Sequence, residues 1–212
     1  YLPEALINYL VRLGWSHGDQ EIFSIPEMIA AFDLSHINKA PAAFNFEKLN
    51  WLNQHYIKTL PPETIAGHLE WQMQRLGIDY SNGPELSKIV IALRDRVKTM
   101  LEMAEKSQCF YVENLILDPT AAHQHLTEQS YAPLEFVMQQ LIALGTWQAT
   151  DIHSAIAKTV EYFNIGMGKL AQPLRVAVTG NTTSPSIDVT LELIGRSKSL
   201  ARLNNALVYI KG

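Results

Sequence analysis

A single cysteine, Cys109, stands among the 212 residues of this chain. That scarcity excludes an internal disulfide and a cysteine-built zinc site, and it fits a reducing, cytoplasmic compartment. No run approaches the roughly 20 apolar residues that a membrane helix needs, and no secretory signal peptide is visible. An initiator methionine is missing too: the chain opens at Tyr1, which reads as a fragment or a processed product. Internal repeats and low-complexity tracts are absent. Charged residues make up only 18% and hydrophobic residues 47%. That balance describes an ordered globular chain able to bury a core, with length for one or two compact domains.

The net charge of −4 argues against a general nucleic-acid binder, but the charge is uneven. Residues 164–212 hold six cations, Lys169, Arg175, Arg196, Lys198, Arg202 and Lys211, against Asp188 and Glu192. This end is therefore +4 and the remainder −8, so the basic end could approach phosphates.

Helical spacing dominates. Pro3 suits a first helical turn, and Leu2, Leu6, Leu10 and Leu13 repeat behind it, up to Gly14. Ser24 and Glu27 have capping-box spacing, followed by Met28, Ile29 and Phe32 on one face. Residues 33–45 read as a loop punctuated by Pro41, with Asn45 capping a helix that carries Leu49, Leu52 and Tyr56. Pro61-Pro62 marks a boundary. Ile65, Leu69, Met73 and Leu76 form the next stripe, and Asn82-Gly83-Pro84 is a turn. A single long helix is then expected on Leu86, Val90, Leu93, Val97, Leu101 and Ala104. A second boundary falls near residue 110, and residues 108–131 have no clear period. Leu134, Val137, Leu141 and Leu144 begin another helix, and Ile152, Ile156 and Phe163 mark one more. Val176 to Gly180 fits a strand by propensity and a helix by its context from Lys169. Ser184-Pro185 opens a final helical pair divided near Gly195. The class is mainly α.

Patterns that would carry catalysis fail on inspection. Gly14-Trp15-Ser16-His17-Gly18 matches the spacing of a nucleophile elbow, but that motif needs a strand before the serine, and a helix precedes it. Gly166-Met167-Gly168-Lys169 lacks the spacing and the hydroxyl residue of a phosphate loop, and reads as an inter-helix turn. His123 and His125, two apart, do not share a helix face. No metal ligand set and no acid–base carboxylate pair emerges.

Four stretches, in order, resemble bacterial glutamyl-tRNA synthetase. They are Tyr1-Leu2-Pro3-Glu4-Ala5-Leu6 through Trp15-Ser16-His17-Gly18-Asp19; Phe44-Asn45-Phe46 with Lys48-Leu49-Asn50-Trp51-Leu52-Asn53 and His55-Tyr56-Ile57; Leu93-Arg94-Asp95-Arg96-Val97-Lys98-Thr99; and Gly168-Lys169-Leu170-Ala171-Gln172-Pro173-Leu174-Arg175 through Ser184-Pro185. The first is shared with related class I synthetases, whereas the last is more particular to the glutamyl enzyme. The resemblance implies a helical stem-contact domain over residues 1–62 and two α-helical anticodon-binding subdomains over 63–110 and 111–212. It also resolves Val176 as helix. The family's two ATP-binding signatures, HIGH and KMSKS, are absent. The resemblance therefore places ATP and Mg2+ in a catalytic domain outside this sequence and implies that the chain alone is inactive. It implies no cofactor within the chain itself.

By that resemblance the partners are a glutamate-accepting tRNA and the chain's own N-terminal catalytic domain, in a monomer. A helical arm of this kind combines phosphate contacts, which position, with contacts to unstacked bases, which specify. Arg94 and Lys98, four apart on the expected long helix, share a face, and Arg96 flanks them. With Arg175, Ser184 and Pro185 they are the implied anticodon contacts. Arg196, Lys198, Arg202, Lys39 and Lys48 are candidates for the RNA backbone, with Lys58 plausible beside them. A free-standing helical protein-interaction module is the alternative, and a hydrolase using Ser16 a third reading.

Overall fold

The computed structural model describes residues 1–38 and 42–212. The backbone candidate Lys39 and the loop proline Pro41 lie outside the described residues. Among those described there are twelve α-helices, one 3-10 turn at Leu34–His36 and no strand, only an isolated bridge between Trp15 and Ile37. None of the helices is long and apolar enough to cross a membrane.

Helix α1 (Pro3–Gly14) packs on α3 (Phe46–Thr59), with α2 (Ile25–Ala31) beside them. The Ser24–Glu27 capping box forms at α2, and Asn45 Oδ1 accepts from Lys48 N–H at the start of α3. The expected leucine stripe of α1 is corrected: Leu2, Ala5 and Tyr9 are buried while Leu6 and Leu10 are exposed. The reason is polar. Asn8, fully buried, sits on the inner face, where its Oδ1 accepts from Phe23 N–H and Tyr56 Oη, and its Nδ2 donates to the Glu21 carbonyl. Those three partners turn the helix so that Asn8 faces inward. Likewise only Met28 of the expected α2 face is buried; Ile29 and Phe32 are exposed.

Helix α4 (Pro62–Arg75) buries Ile65, Leu69 and Met73 completely against α5 (Leu86–Leu93) and α6 (Met100–Tyr111). Each such side chain contributes roughly 1.5–3 kcal/mol. The single long helix expected from Leu86 to Ala104 is instead α5 and α6, broken by a turn at 94–99. Thr99 caps α6 by accepting from Glu102 N–H, and Glu102 Oε2 accepts from Lys98 N–H. From α3, Asn53 Nδ2 donates to the Lys98 carbonyl at 2.5 Å and Gln54 Nε2 to that of Val97 at 3.2 Å. These contacts from α3 hold the Val97–Lys98 backbone in the turn between the two helices. The register changes accordingly: Met100 and Met103 are buried and Leu101 is exposed.

The unclear stretch after residue 108 contains α7 (Pro119–His125), capped by Asp118. Next come α8 (Glu128–Ile142), α9 (Ala149–Phe163), α10 (Met167–Thr179), α11 (Ile187–Ile194) and α12 (Arg196–Lys211). Val176 is helical, as the resemblance implies. Gly166 is the N-cap of α10, so the Gly166–Lys169 segment starts a helix rather than forming a turn. Helices α8, α9 and α12 surround α10, while α11 touches both α5 and α6. Gly180 ends α10 with φ +78°, and a Cβ there would lie 2.4 Å from the Ile116 carbonyl oxygen. Its own carbonyl accepts from Asp118 N–H, which ties α7 to the end of α10.

Candidate nucleic-acid interface

Two segments some eighty residues apart in sequence meet in one cleft. One wall is α6 with the turn before it; the other is the polar run that follows α10. A cavity of about 290 Å³ is lined by Arg96, Lys106, Cys109, Thr183, Ser184 and Pro185, together with Leu93 and Phe110. It adjoins one of about 350 Å³, to which Thr179, Asn181, Asn114 and Glu105 contribute. Lys106, Cys109 and Thr183 border both.

Arg175 holds the second wall in place. Its Nε donates to Ser184 Oγ at 2.8 Å, and its Nη2 approaches the Pro185 carbonyl at 3.5 Å. Ser184 Oγ in turn donates to the Pro185 carbonyl at 2.9 Å and meets Thr190 Oγ1 at 3.1 Å. Desolvation, and then the charge of Arg96, pull the Arg175 guanidinium below its ordinary value. Neither Arg96 nor Arg175 has a carboxylate partner among the described residues. Two cations that repel each other without neutralisation make the cleft attractive to an anion. Lys106 is differently placed, spanning the Glu102 carboxylate at 2.7 Å and the Arg96 carbonyl at 2.8 Å.

Of the six residues assigned to base contact, the fold brings Arg96, Ser184 and Pro185 to one cavity, with Arg175 behind them. Arg94 and Lys98 line neither cavity. Because the helix is broken, they do not share a face: Arg94 caps α5 and reaches the Lys58 carbonyl at 3.5 Å, and Lys98 lies in the turn. Sequence reasoning missed Lys106, Asn181 and Thr183. The visible signal for the last two was the polar Asn181-Thr182-Thr183 run directly after a helix-ending glycine.

The backbone candidates fare differently. Arg202 is 4% exposed. Nη1 donates to the Cys109 and Val178 carbonyls at 2.8 and 2.7 Å, and Nη2 to that of Val112 at 2.6 Å. Its assignment to a phosphate is therefore corrected: the guanidinium is spent inside the protein. Lys198 is also engaged, with the Tyr111 carbonyl at 3.3 Å and Glu113 at 3.2 Å. Arg196 is exposed at the far end of α11 from Pro185, donating to the Ile142 carbonyl at 2.6 Å. Lys48 pairs with Glu21 at 2.7 Å and Lys58 with Asp95 at 3.3 Å. The excess charge of residues 164–212 thus does not form one basic surface.

Ser16 follows a helix, not a strand. No three His, Cys, Asp or Glu side chains among the described residues group as a metal site. Burial pushes the Cys109 thiol up to about 11, which leaves it protonated at neutral pH.

Residues 52–207 match the family model described as an anticodon binding domain. Residues 1–51 match that of the class I tRNA synthetase catalytic domain, E and Q type. Among solved structures, a glutamate tRNA ligase from Elizabethkingia meningosepticum is 29% identical with a TM-score of 0.87, over 99% of this chain and 42% of that one. The glutamate-tRNA synthetase of Elizabethkingia anophelis is 29% identical with a TM-score of 0.83, over 100% of this chain and 41% of that one. The chain thus spans about two-fifths of the length of either.

Proposed function

Because this chain belongs to the anticodon-binding domain family of class I tRNA synthetases, we propose that its cleft receives anticodon-loop bases of a glutamate-accepting tRNA. The observation that carries this reading is the convergence of Arg96, Ser184 and Pro185, from two distant segments, on one cavity, with Arg175 held behind it and neither arginine paired to a carboxylate among the described residues. A guanidinium donates in a planar fork and stacks on bases. Arg96 is free to do both. Arg175, fixed by Ser184, contributes its remaining donors from a defined direction. Thr183 and Asn181 add neutral donors and acceptors at the rim. A cavity of this size suits an unstacked base rather than a duplex, which is how single-stranded loops are read.

Around this site the proposal assigns residues 1–62 to the tRNA stem and to the catalytic part of the same protein, and residues 63–110 and 111–212 to two anticodon-binding subdomains. Lys98, exposed in the turn that also carries Arg96, is the backbone contact that this reading favours. Glutamate, ATP and Mg2+ belong to the catalytic part of the protein, whose family model residues 1–51 match only over their own length, in a cytoplasmic, monomeric enzyme. The chain's own work is to hold the loop.

The test is binding of an anticodon stem-loop RNA from glutamate tRNA to the 212-residue chain, across a salt series. The proposal expects affinity that falls with salt, because phosphate contacts release counterions, and an Arg96→Gln variant that binds the cognate loop several-fold more weakly. Equal affinity for cognate and loop-scrambled RNA would reject it.

A further inference from the structure

Arg202 occupies a position that neither a phosphate contact nor simple packing explains. It is a cation with 4% exposure and no carboxylate within ion-pair distance among the described residues. Its neutralising partners are instead backbone carbonyls at helix ends. Cys109 lies in the last turn of α6 and Val112 is its C-cap, while Val178 lies in the last turn of α10. Final-turn carbonyls lack intrahelical partners and carry the negative end of the helix dipole, so one guanidinium satisfies two helix termini together. One turn earlier on α12, Lys198 adds a second donor to the Tyr111 carbonyl. Burial lowers the affinity of Arg202 for its proton, yet the group stays charged because an arginine does not give up its proton in a protein.

The two ends that Arg202 joins are the two walls of the cleft. Cys109, Val112 and Thr179 all line the 350 Å³ cavity, and the chain leaving α10 carries Asn181 to Pro185. We propose that Arg202 is a positioning residue that fixes the separation of the cleft walls, and thereby the selectivity of the cleft for anticodon-loop bases. It touches no RNA. The selectivity half of this inference rests on the function proposed above; the clasp itself does not.

The experiment uses the 212-residue chain with Arg202→Lys and Arg202→Met, and Leu203→Ala as control. Leu203 is fully buried on the same helix, so its truncation destabilises without releasing the carbonyls. Two quantities are read below the melting range of all variants. The first is the alkylation rate of Cys109, the only thiol in the chain, which sits in the cleft between the clasped ends. The second is the ratio of affinities for the cognate stem-loop and its single-base loop variants. Loss of the clasp is expected to raise the alkylation rate severalfold and to lower the affinity ratio by about tenfold, with the salt slope unchanged. Leu203→Ala should change neither. Arg202→Lys keeps the charge but cannot reach all three carbonyls, so it carries the test if Arg202→Met does not fold. Equal alkylation in Arg202→Lys and wild type, or the same acceleration in Leu203→Ala, overturns the clasp. Accelerated alkylation with an unchanged affinity ratio overturns the link to selectivity. A wild type that does not discriminate loops removes the proposed function, and the thiol rate still decides the clasp.

Discussion

Asn53 and Lys98 lie on different helical units, yet the Nδ2 of the first donates to the carbonyl of the second at 2.5 Å. The same Asn53 accepts from Leu2 N–H through Oδ1 at 2.7 Å. One buried amide therefore joins the start of the chain, α3 and the turn that presents Arg96. Asn53→Ala leaves two backbone groups without partners, at about 1–3 kcal/mol for each that stays buried. Urea unfolding should show the midpoint drop, and stem-loop affinity should fall with it because the 94–99 turn loosens. A midpoint equal to wild type contradicts this role.

Gly180 and Gly145 should respond oppositely to the same substitution. At Gly180, a Cβ meets the Ile116 carbonyl oxygen and the backbone is left-handed, a conformation that costs an L-residue about 1–2 kcal/mol before any clash. At Gly145 a Cβ would meet nothing within 4 Å, and φ lies outside the left-handed region. Gly180→Ala is expected to lower the melting temperature sharply. Gly145→Ala should stay within about 0.5 kcal/mol of wild type or improve on it. Comparable melting curves for the two variants would be inconsistent with the close approach at Gly180.

Glu21 supplies a pH signature. Hydrogen bonds from Arg12 and then Lys48 hold its carboxyl below the ordinary carboxylate value against the cost of desolvation, with weaker Coulombic attraction to both adding to the effect. A carboxyl depressed in the folded state contributes stability that is present above its unfolded pKa and is lost as pH falls through the lower, folded one. Glu21→Gln should therefore melt earlier than wild type at neutral pH, and the two curves should converge in acid. Both partners are partly solvent-exposed, so the gap is modest and shrinks with salt. A gap independent of pH would assign the effect to packing.

Arg175→Lys keeps a charge but cannot donate in a fixed planar fork to Ser184 and Pro185. The expected loss is about 1–3 kcal/mol of discrimination, concentrated on one anticodon position. Charging or binding of cognate and single-base variant tRNAs measures it. Uniform weakening across all variants would mean a phosphate role instead.

Much of the helical order was legible because it is local. Ser24 and Asn45 have the side chains that cap helices, and Ile65, Leu69 and Met73 repeat at the spacing that buries them. The break after α5 was not legible. Leu93 and Val97 continue an apolar stripe, and the break depends on Asn53 and Gln54, more than forty residues away. Missing it put Arg94 and Lys98 on one face and hid Lys106. Arg202 was misread for the opposite reason: its charge suggested a surface, although its spacing did not. Ser199, Arg202, Leu203, Ala206 and Leu207 form the buried stripe of α12, and an arginine within such a stripe must find partners inside. Arg175, Ser184 and Pro185 came from the family resemblance of one short segment, within which they also meet in the structure. Arg96 joins them only through the contact of α11 with α5 and α6.

The central claim is that anticodon-loop bases enter the cleft between α6 and the segment after α10. Photo-crosslinking answers it most directly, using a glutamate tRNA stem-loop that carries a photoreactive base at a single anticodon position, followed by peptide mapping. The account predicts crosslinks to residues 93–109 and 179–185, reduced in Arg96→Gln and competed by unlabelled cognate loop. Crosslinks confined to other surfaces, such as residues 1–62 or the outer face of α8 and α9, would contradict it.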